Sequence, residues 1–287
     1  MAVSPALLNH IDVSVKTAAL KIVGSPIRRQ ATIQTRCLMR MPAVTYCVGI
    51  KIKDGLIALA DGRLTAGNQV SAARKLTLHG PEGSQFIVMA SGLRSVRDKV
   101  LAFLDRDMHR LEGHGFRSVL DVVSAYCDCL RRAKQQDQEA LEAGNLTFNL
   151  HAIIGGKLPD DSEHDLFLVY PEGNWIRVDQ RTPYLSIGAT AYGKPILDRA
   201  LTYETTLRAA LKIAYLSFDS TRFSSADVGF PIDLATHDSA DNRWRLASFN
   251  YEDLIEQRQW WNKHITELAS RLPDAPWLQR LTRQSDL

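Results

Sequence analysis

Residues 44–63 read VTYCVGIKIKDGLIALADGR, and the architecture is worked out from them. Two short apolar runs flank Lys53-Asp54-Gly55, a tripeptide suited to tight antiparallel turns. The stretch therefore predicts a hairpin of strands over 45–52 and 56–61. The second run ends in Asp61-Gly62-Arg63. Charged side chains closing so apolar a strand are unfavourable to bury without a partner. That draws attention to Asp61, to Arg63, and to Thr45 at the head of the first strand.

Outward from the hairpin, strands are predicted over 75–79 and 86–91, the latter after the turn signal Gly80-Pro81-Glu82-Gly83. Val96, Val100, Leu104, Met108 and Leu111 then recur at helical spacing, and a second helix is predicted over 118–143. A further block of strands is predicted over 149–154, 166–170, 175–178 and 185–187. Helices over 195–207 and 208–216 follow, then strands over 228–235 and 243–248 and a closing helix over 252–272. This order does not follow the βαβ alternation of a parallel sheet. It suits an α+β fold, a four-layer α-β-β-α sandwich with two antiparallel sheets between helical layers. No repeat and no Pro/Gly/Ser-rich linker interrupts the chain, so residues 45–287 read as one domain.

The chain has 287 residues, of which 45% are hydrophobic and 23% charged, enough for a core of ordinary size. Its net charge of +3 is too small to imply a nucleic-acid or membrane partner. No apolar run approaches the roughly 18 residues of a membrane span. The cysteines, Cys37, Cys47, Cys127 and Cys129, show no zinc spacing and fit free thiols in a reducing cytoplasm. No metal or organic cofactor is expected, and the eight histidines form no H-x-x-x-H motif. Trp260-Trp261 reads as packing or a subunit contact. Residues 1–44 carry six basic residues against Asp12 alone. A targeting leader, a removable propeptide and a start codon placed too far upstream all fit that segment, the last being preferred.

A threonine hydroxyl is a weak nucleophile until a base removes its proton. Were Thr45 the first residue, its own α-amine, with an ordinary pKa of about 7.7–8.0, would suit that task. A nearby lysine would hold that pKa down, and a carboxylate would anchor the lysine. Asp61 and Lys75 occupy the required places, at the end of the neighbouring strand and one strand further on. Ser91-Gly92, where a strand gives way to a helix, offers backbone N–H groups for an oxyanion. Singly, each residue also fits an ordinary structural role: a strand threonine, an ion pair with Arg63, an edge lysine, a turn glycine.

Thr45-Tyr46-Cys47-Val48-Gly49, Leu59-Ala60-Asp61-Gly62-Arg63, Arg74-Lys75 and Ala90-Ser91-Gly92 appear in an order that resembles the proteasome β-subunit family of N-terminal nucleophile hydrolases, and within it the bacterial Anbu branch. Leu168-Val169-Tyr170-Pro171, Pro183-Tyr184-Leu185-Ser186-Ile187-Gly188 and Pro231-Ile232-Asp233 extend the likeness to about residue 267. The resemblance implies a threonine-type endopeptidase acting on peptides or unfolded proteins. It further implies a self-assembled homo-oligomer, a ring or an open helical ring. Thr45 would be nucleophile and base, Asp61 and Lys75 its electrostatic support, Arg63 a supporting partner and Gly92 an oxyanion donor. Asp219 and Ser224 match the acid and the serine that the family places near the amine. The chain departs from the family in Val44, where a glycine is usual, and in Ala189, where a serine is expected. A catalytically silent subunit of the same fold is the alternative expectation.

Overall fold

In the computed structural model, which describes residues 45–66, 69–111 and 115–281, the opening hairpin consists of β1 (Tyr46–Ile52) and β2 (Gly55–Asp61). Their register runs from Ile52↔Gly55 to Cys47↔Ala60, leaving Lys53 and Asp54 as the loop. Every residue of both strands is buried. A strand covered on both faces has no polar side to alternate with, so both read as nearly unbroken apolar runs.

After β2 come β3 (Arg63–Ala66), β4 (Gln69–Ala72), β5 (Leu76–His79) and β6 (Phe86–Gly92). The helices α1 (Arg94–His109) and α2 (Val119–Ala143) follow. Next are β7 (Leu150–Gly156), β8 (Asp165–Val169), β9 (Trp175–Arg177) and β10 (Tyr184–Gly188). The chain continues through α3 (Thr190–Ala200), α4 (Leu207–Ser224), β11 (Ile232–Asp238), β12 (Arg243–Phe249), α5 (Ile255–Ser270) and α6 (Pro276–Gln279). One five-stranded antiparallel sheet has the order β10-β1-β2-β11-β12, the other β5-β6-β7-β8-β9, and β3 pairs with β4 alone.

Three apolar layers hold the sandwich together. Tyr46, Val48, Ile50, Ile57 and Leu59 face Leu197, Ala210, Ala214 and Phe218 of α3 and α4. The opposite face of the same sheet, including Cys47, Ala58 and Ala60, meets Ile87, Met89, Ile153 and Leu166 of the second sheet. The outer face of that sheet packs on Val96, Val100, Val123 and Leu130 of α1 and α2. Helix, sheet, sheet and helix make the α+β four-layer sandwich that the sequence predicts.

Several boundaries differ from expectation. The β3–β4 hairpin falls where no strand was expected. The helices predicted over 195–207 and 208–216 are displaced, because the Thr206 hydroxyl accepts the Ala209 N–H and starts α4 there. α4 then continues to Ser224, since Ala210, Ala214, Ser217, Phe218 and Thr221 keep one buried stripe going. The strand predicted from residue 228 begins instead at Ile232. In α5 no residue is buried, and Trp260 is exposed and stacked on His264. The expectations for residues 1–44, Cys37 included, lie outside the described residues.

Candidate active site

Asp61 ends β2 with no exposed surface, and three donors converge on its carboxylate. Oδ1 accepts the Lys75 ammonium at 2.7 Å and the Tyr46 N–H at 2.9 Å. Oδ2 accepts the Gly229 N–H at 3.4 Å. Burial pushes the carboxyl above its ordinary pKa, against the pull of the Lys75 charge and these hydrogen bonds. Lys75 is itself buried, and its Nζ donates a second hydrogen bond to the Arg63 carbonyl at 2.7 Å. The ammonium is thereby held at one place by two short contacts.

Arg63 reaches the pair through its backbone, while its side chain turns the other way. Its Nη1 donates to the Ala226 carbonyl at 2.6 Å, and its guanidinium packs close against Gly229. A Cβ at Gly229 would come within 2.8 Å of Nε. Nε is buried and has no hydrogen-bond partner among the described residues. Arg63 thus braces residues 226–229, which carry the Gly229 N–H to Asp61. A simple Asp61–Arg63 ion pair, the ordinary reading of that triplet, is not formed.

Thr45 is adjacent to this pair. Its carbonyl accepts the Ala189 N–H at 2.7 Å, at the end of β10. The approach is so close that a Cβ on Gly188, where φ is +88°, would lie 1.7 Å from the Thr45 carbonyl oxygen. Tyr46, next in the chain, is held by its N–H on Asp61, and its hydroxyl donates to Ser217 Oγ at 2.9 Å. Thr45, Lys75 and Gly92 line one small cavity of about 20 Å³.

The orientation of Gly92 follows from the sheet ladder. Leu93 N–H donates to the Asn149 carbonyl at 3.1 Å, and Ala90 N–H to the Lys75 carbonyl at 3.2 Å on the opposite edge. N–H groups alternate sides along an antiparallel strand, so that of Gly92 points as Ala90's does, away from β7. β5 begins only at Leu76, so no strand is there to receive it. Gly92 has φ +139°, and a Cβ would sit 1.8 Å from the Asn149 oxygen, so only glycine fits. Two larger clefts adjoin the cavity. One of about 380 Å³ lies between residues 72–77, β6 and α1, and one of about 440 Å³ between β6, β7 and β10.

Not every expected residue joins the cluster. Asp219 is buried on α4 and paired with Arg222 at 2.8 Å. Ser224 is exposed at the last position of α4. No hydrogen bond links either one to Thr45, Asp61 or Lys75 among the described residues. Cys47 is buried between the sheets, where desolvation drives its thiol pKa far up and away from nucleophilic use. Among the described residues no group of three or more His, Cys, Asp or Glu could hold a metal ion. Sequence reading missed the N–H groups of Ala189 and Gly229; the glycines at 188 and 229 are the only local signal for them.

A family model for the proteasome subunit matches residues 43–236. None of the curated proteins matches the chain. Among solved structures, the helical assembly of the Anbu complex from Pseudomonas aeruginosa is 31% identical, with a TM-score of 0.74, covering 82% of this chain and 100% of that one. Anbu, an ancestral β-subunit, from Yersinia bercovieri is 28% identical with a TM-score of 0.71, covering 80% and 99% respectively. An Anbu Gly-1 mutant from Hyphomicrobium sp. strain MC1 is 29% identical at the same TM-score of 0.71, covering 79% and 98%. The matched span includes both halves of the sandwich and the Asp61–Lys75 pair. The chain belongs to the proteasome subunit family.

Proposed function

We propose that the chain is a proteasome-type threonine peptidase, active once Thr45 is its first residue. Thr45 Oγ attacks the carbonyl carbon of a peptide bond while its own amine takes the hydroxyl proton. The Gly92 N–H donates to the oxyanion of the tetrahedral intermediate. Collapse expels the leaving amine, which carries off a proton from the Thr45 ammonium, and leaves an ester on Oγ. Water, deprotonated by the same amine, hydrolyses that ester and restores the hydroxyl. Lys75 keeps a positive charge beside the amine, favouring its neutral form before attack, and Asp61 holds Lys75 in place. Asp219 and Ser224 would have a part only at a distance from the amine.

One observation carries this reading. A fully buried Asp61 bonds both the Lys75 ammonium and the Tyr46 N–H adjacent to Thr45, and Thr45, Lys75 and Gly92 line one cavity. The proposal includes removal of residues 1–44, as leader, propeptide or upstream extension, to leave a single domain over 45–287. Substrates would be peptides or unfolded proteins, and no cofactor is needed because hydroxyl and base reside on one residue. Assembly into a homo-oligomer is supported by the helical assembly of the Pseudomonas aeruginosa relative. A cytoplasmic setting fits Cys47, Cys127 and Cys129, all free. No helix among the described residues is long and apolar enough to cross a membrane.

The alternative is a silent subunit whose Thr45 amine is never freed. The β-branched Val44 before Thr45 favours it, as does Ala189, which brings only a backbone N–H near Thr45. Intact mass separates the two: loss of all residues before Thr45, with turnover abolished in Thr45→Ala, is the expected result. A chain that keeps Val44 and cleaves nothing, or a Thr45→Ala variant that still cleaves, overturns the peptidase.

A further inference from the structure

With Thr45 as first residue, no preceding peptide bond holds it. Its hydroxyl makes no hydrogen bond among the described residues, and its carbonyl accepts the Ala189 N–H. What else fixes it passes through Tyr46, the next residue in the chain. Tyr46 has no exposed surface, and its N–H is on Asp61 at 2.9 Å. The far end of its side chain reaches the place where α3 packs on α4. There its hydroxyl donates to Ser217 Oγ at 2.9 Å, which donates in turn to the Ala214 carbonyl at 2.7 Å. Thr221 Oγ1 donates to the Ser217 carbonyl at 2.8 Å, so that turn of α4 is held as well.

Gly193 on α3 leaves the room for this contact. A Cβ there would lie 2.4 Å from the Tyr46 hydroxyl oxygen and 2.8 Å from the Ser217 carbonyl oxygen. The surroundings do not call for a hydroxyl. Val48, Ile57 and Phe218 form the same apolar layer, and a phenylalanine ring would fill it without any polar partner. Burial of an apolar ring has no preferred direction, whereas a hydrogen bond fixes distance and angle. The hydroxyl therefore adds a defined position for the ring, not extra burial.

The same two helices deliver the other backbone donors of the site. Ala189, immediately before α3, gives its N–H to the Thr45 carbonyl. Gly229, five residues after the end of α4, gives its N–H to Asp61. The Tyr46 hydroxyl is thus the point at which the helical layer and the strand bearing Thr45 are pinned together by their side chains.

We propose that Tyr46 is a positioning residue: its hydroxyl, held by Ser217 where α3 meets α4, keeps Thr45 in place against the Asp61–Lys75 pair. It touches no reacting atom and acts through the backbone it shares with Thr45. Its effect on turnover rests on the peptidase reading, whereas the restraint itself is measurable without catalysis.

The test is Tyr46→Phe in the full-length chain, which removes one oxygen and leaves Ser217 Oγ its own acceptor, the Ala214 carbonyl. The urea midpoint should fall by at most about 1 M, the scale of one hydrogen bond. On a panel of fluorogenic tetrapeptides kcat should fall about tenfold with KM within about twofold, because the nucleophile is misplaced while the clefts are unchanged. Ser217→Ala should give the same split. Tyr126→Phe removes an equally buried hydroxyl, unpartnered among the described residues, from the other helical layer and should change neither constant. Hydrogen exchange read by mass spectrometry supplies the measurement that needs no turnover. The amides of residues 46 and 189 should exchange about tenfold faster in Tyr46→Phe and Ser217→Ala, with that of Ile57 on the central strand β2 unchanged. If the unsubstituted protein cleaves no peptide, exchange decides: acceleration at 46 and 189 upholds the positioning role while the peptidase falls, and unaltered exchange overturns the role. If it does cleave, an undiminished kcat in Tyr46→Phe, a rise in KM alone, or an equal loss in Tyr126→Phe overturns the role and leaves the peptidase standing.

Discussion

Replacing Lys75 by methionine removes a cation 2.7 Å from a carboxylate that has no exposed surface. Asp61 would keep its N–H donors from Tyr46 and Gly229 but lose its only counter-charge among the described residues. Stripping one partner from a buried pair costs about 3–5 kcal/mol. The electrostatic part has a ceiling, because Asp61 can take up a proton instead. Neutralising an ordinary carboxyl of pKa about 3.9 at pH 7 costs about 4 kcal/mol, at about 1.4 kcal/mol per pH unit. Lys75→Met should therefore lose about 3–4 kcal/mol at pH 7. In that variant the folded state holds a proton that the unfolded state has released, so its deficit shrinks by about 1.4 kcal/mol per unit as pH falls toward 4. Asp61→Asn combined with Lys75→Met removes both charges with little change of shape and should return to within about 1 kcal/mol of the parent. Urea unfolding at fixed protein concentration measures all three proteins. Turnover should be absent from both variants. A Lys75→Met loss below about 1 kcal/mol with no dependence on pH would mean a solvated pair. A buried anchor for the ammonium would then not exist, and neither would the electrostatic support proposed for Thr45.

Gly188→Ala would place a Cβ 1.7 Å from the Thr45 carbonyl oxygen, which must break the hydrogen bond from Ala189. A drop in stability of about 2 kcal/mol or more and loss of turnover are expected, and an unchanged melting temperature with full activity would refute the role given to that contact. His237 is buried against Trp244 with its Nδ1 unpartnered among the described residues, and burial pulls its pKa down to about 4. The unfolded chain protonates it near the ordinary value of about 6.5, so stability present above that pH is lost as pH falls toward 4, by at most about 3 kcal/mol. His237→Phe should flatten the pH–stability curve in that window; an undiminished slope would assign the acid sensitivity to other groups, such as the buried His164, whose pKa burial also lowers.

The sequence by itself determined the order of the elements apart from the β3–β4 hairpin, and it pointed to Asp61 and Lys75, which the structure pairs. Both are local signals. An apolar run covered on two faces looks the same wherever it sits, and a charge at its end is conspicuous, which is how Asp61 and the strand carrying Thr45 could be read from residues 44–63. The tertiary structure decided the rest. It turned the Arg63 guanidinium to Ala226 instead of Asp61, left Asp219 with Arg222, and extended α4 past the predicted end. It also brought in two backbone amides that the sequence reading missed: Ala189 on the Thr45 carbonyl and Gly229 on Asp61. Every residue but proline carries the same N–H, so apart from the glycines at 188 and 229 no residue type marks these two out. Their direction is set by ladder register and by where a neighbouring strand starts, and those are fixed only when segments more than a hundred residues apart in the chain, such as Asp61 and Gly229, are packed together.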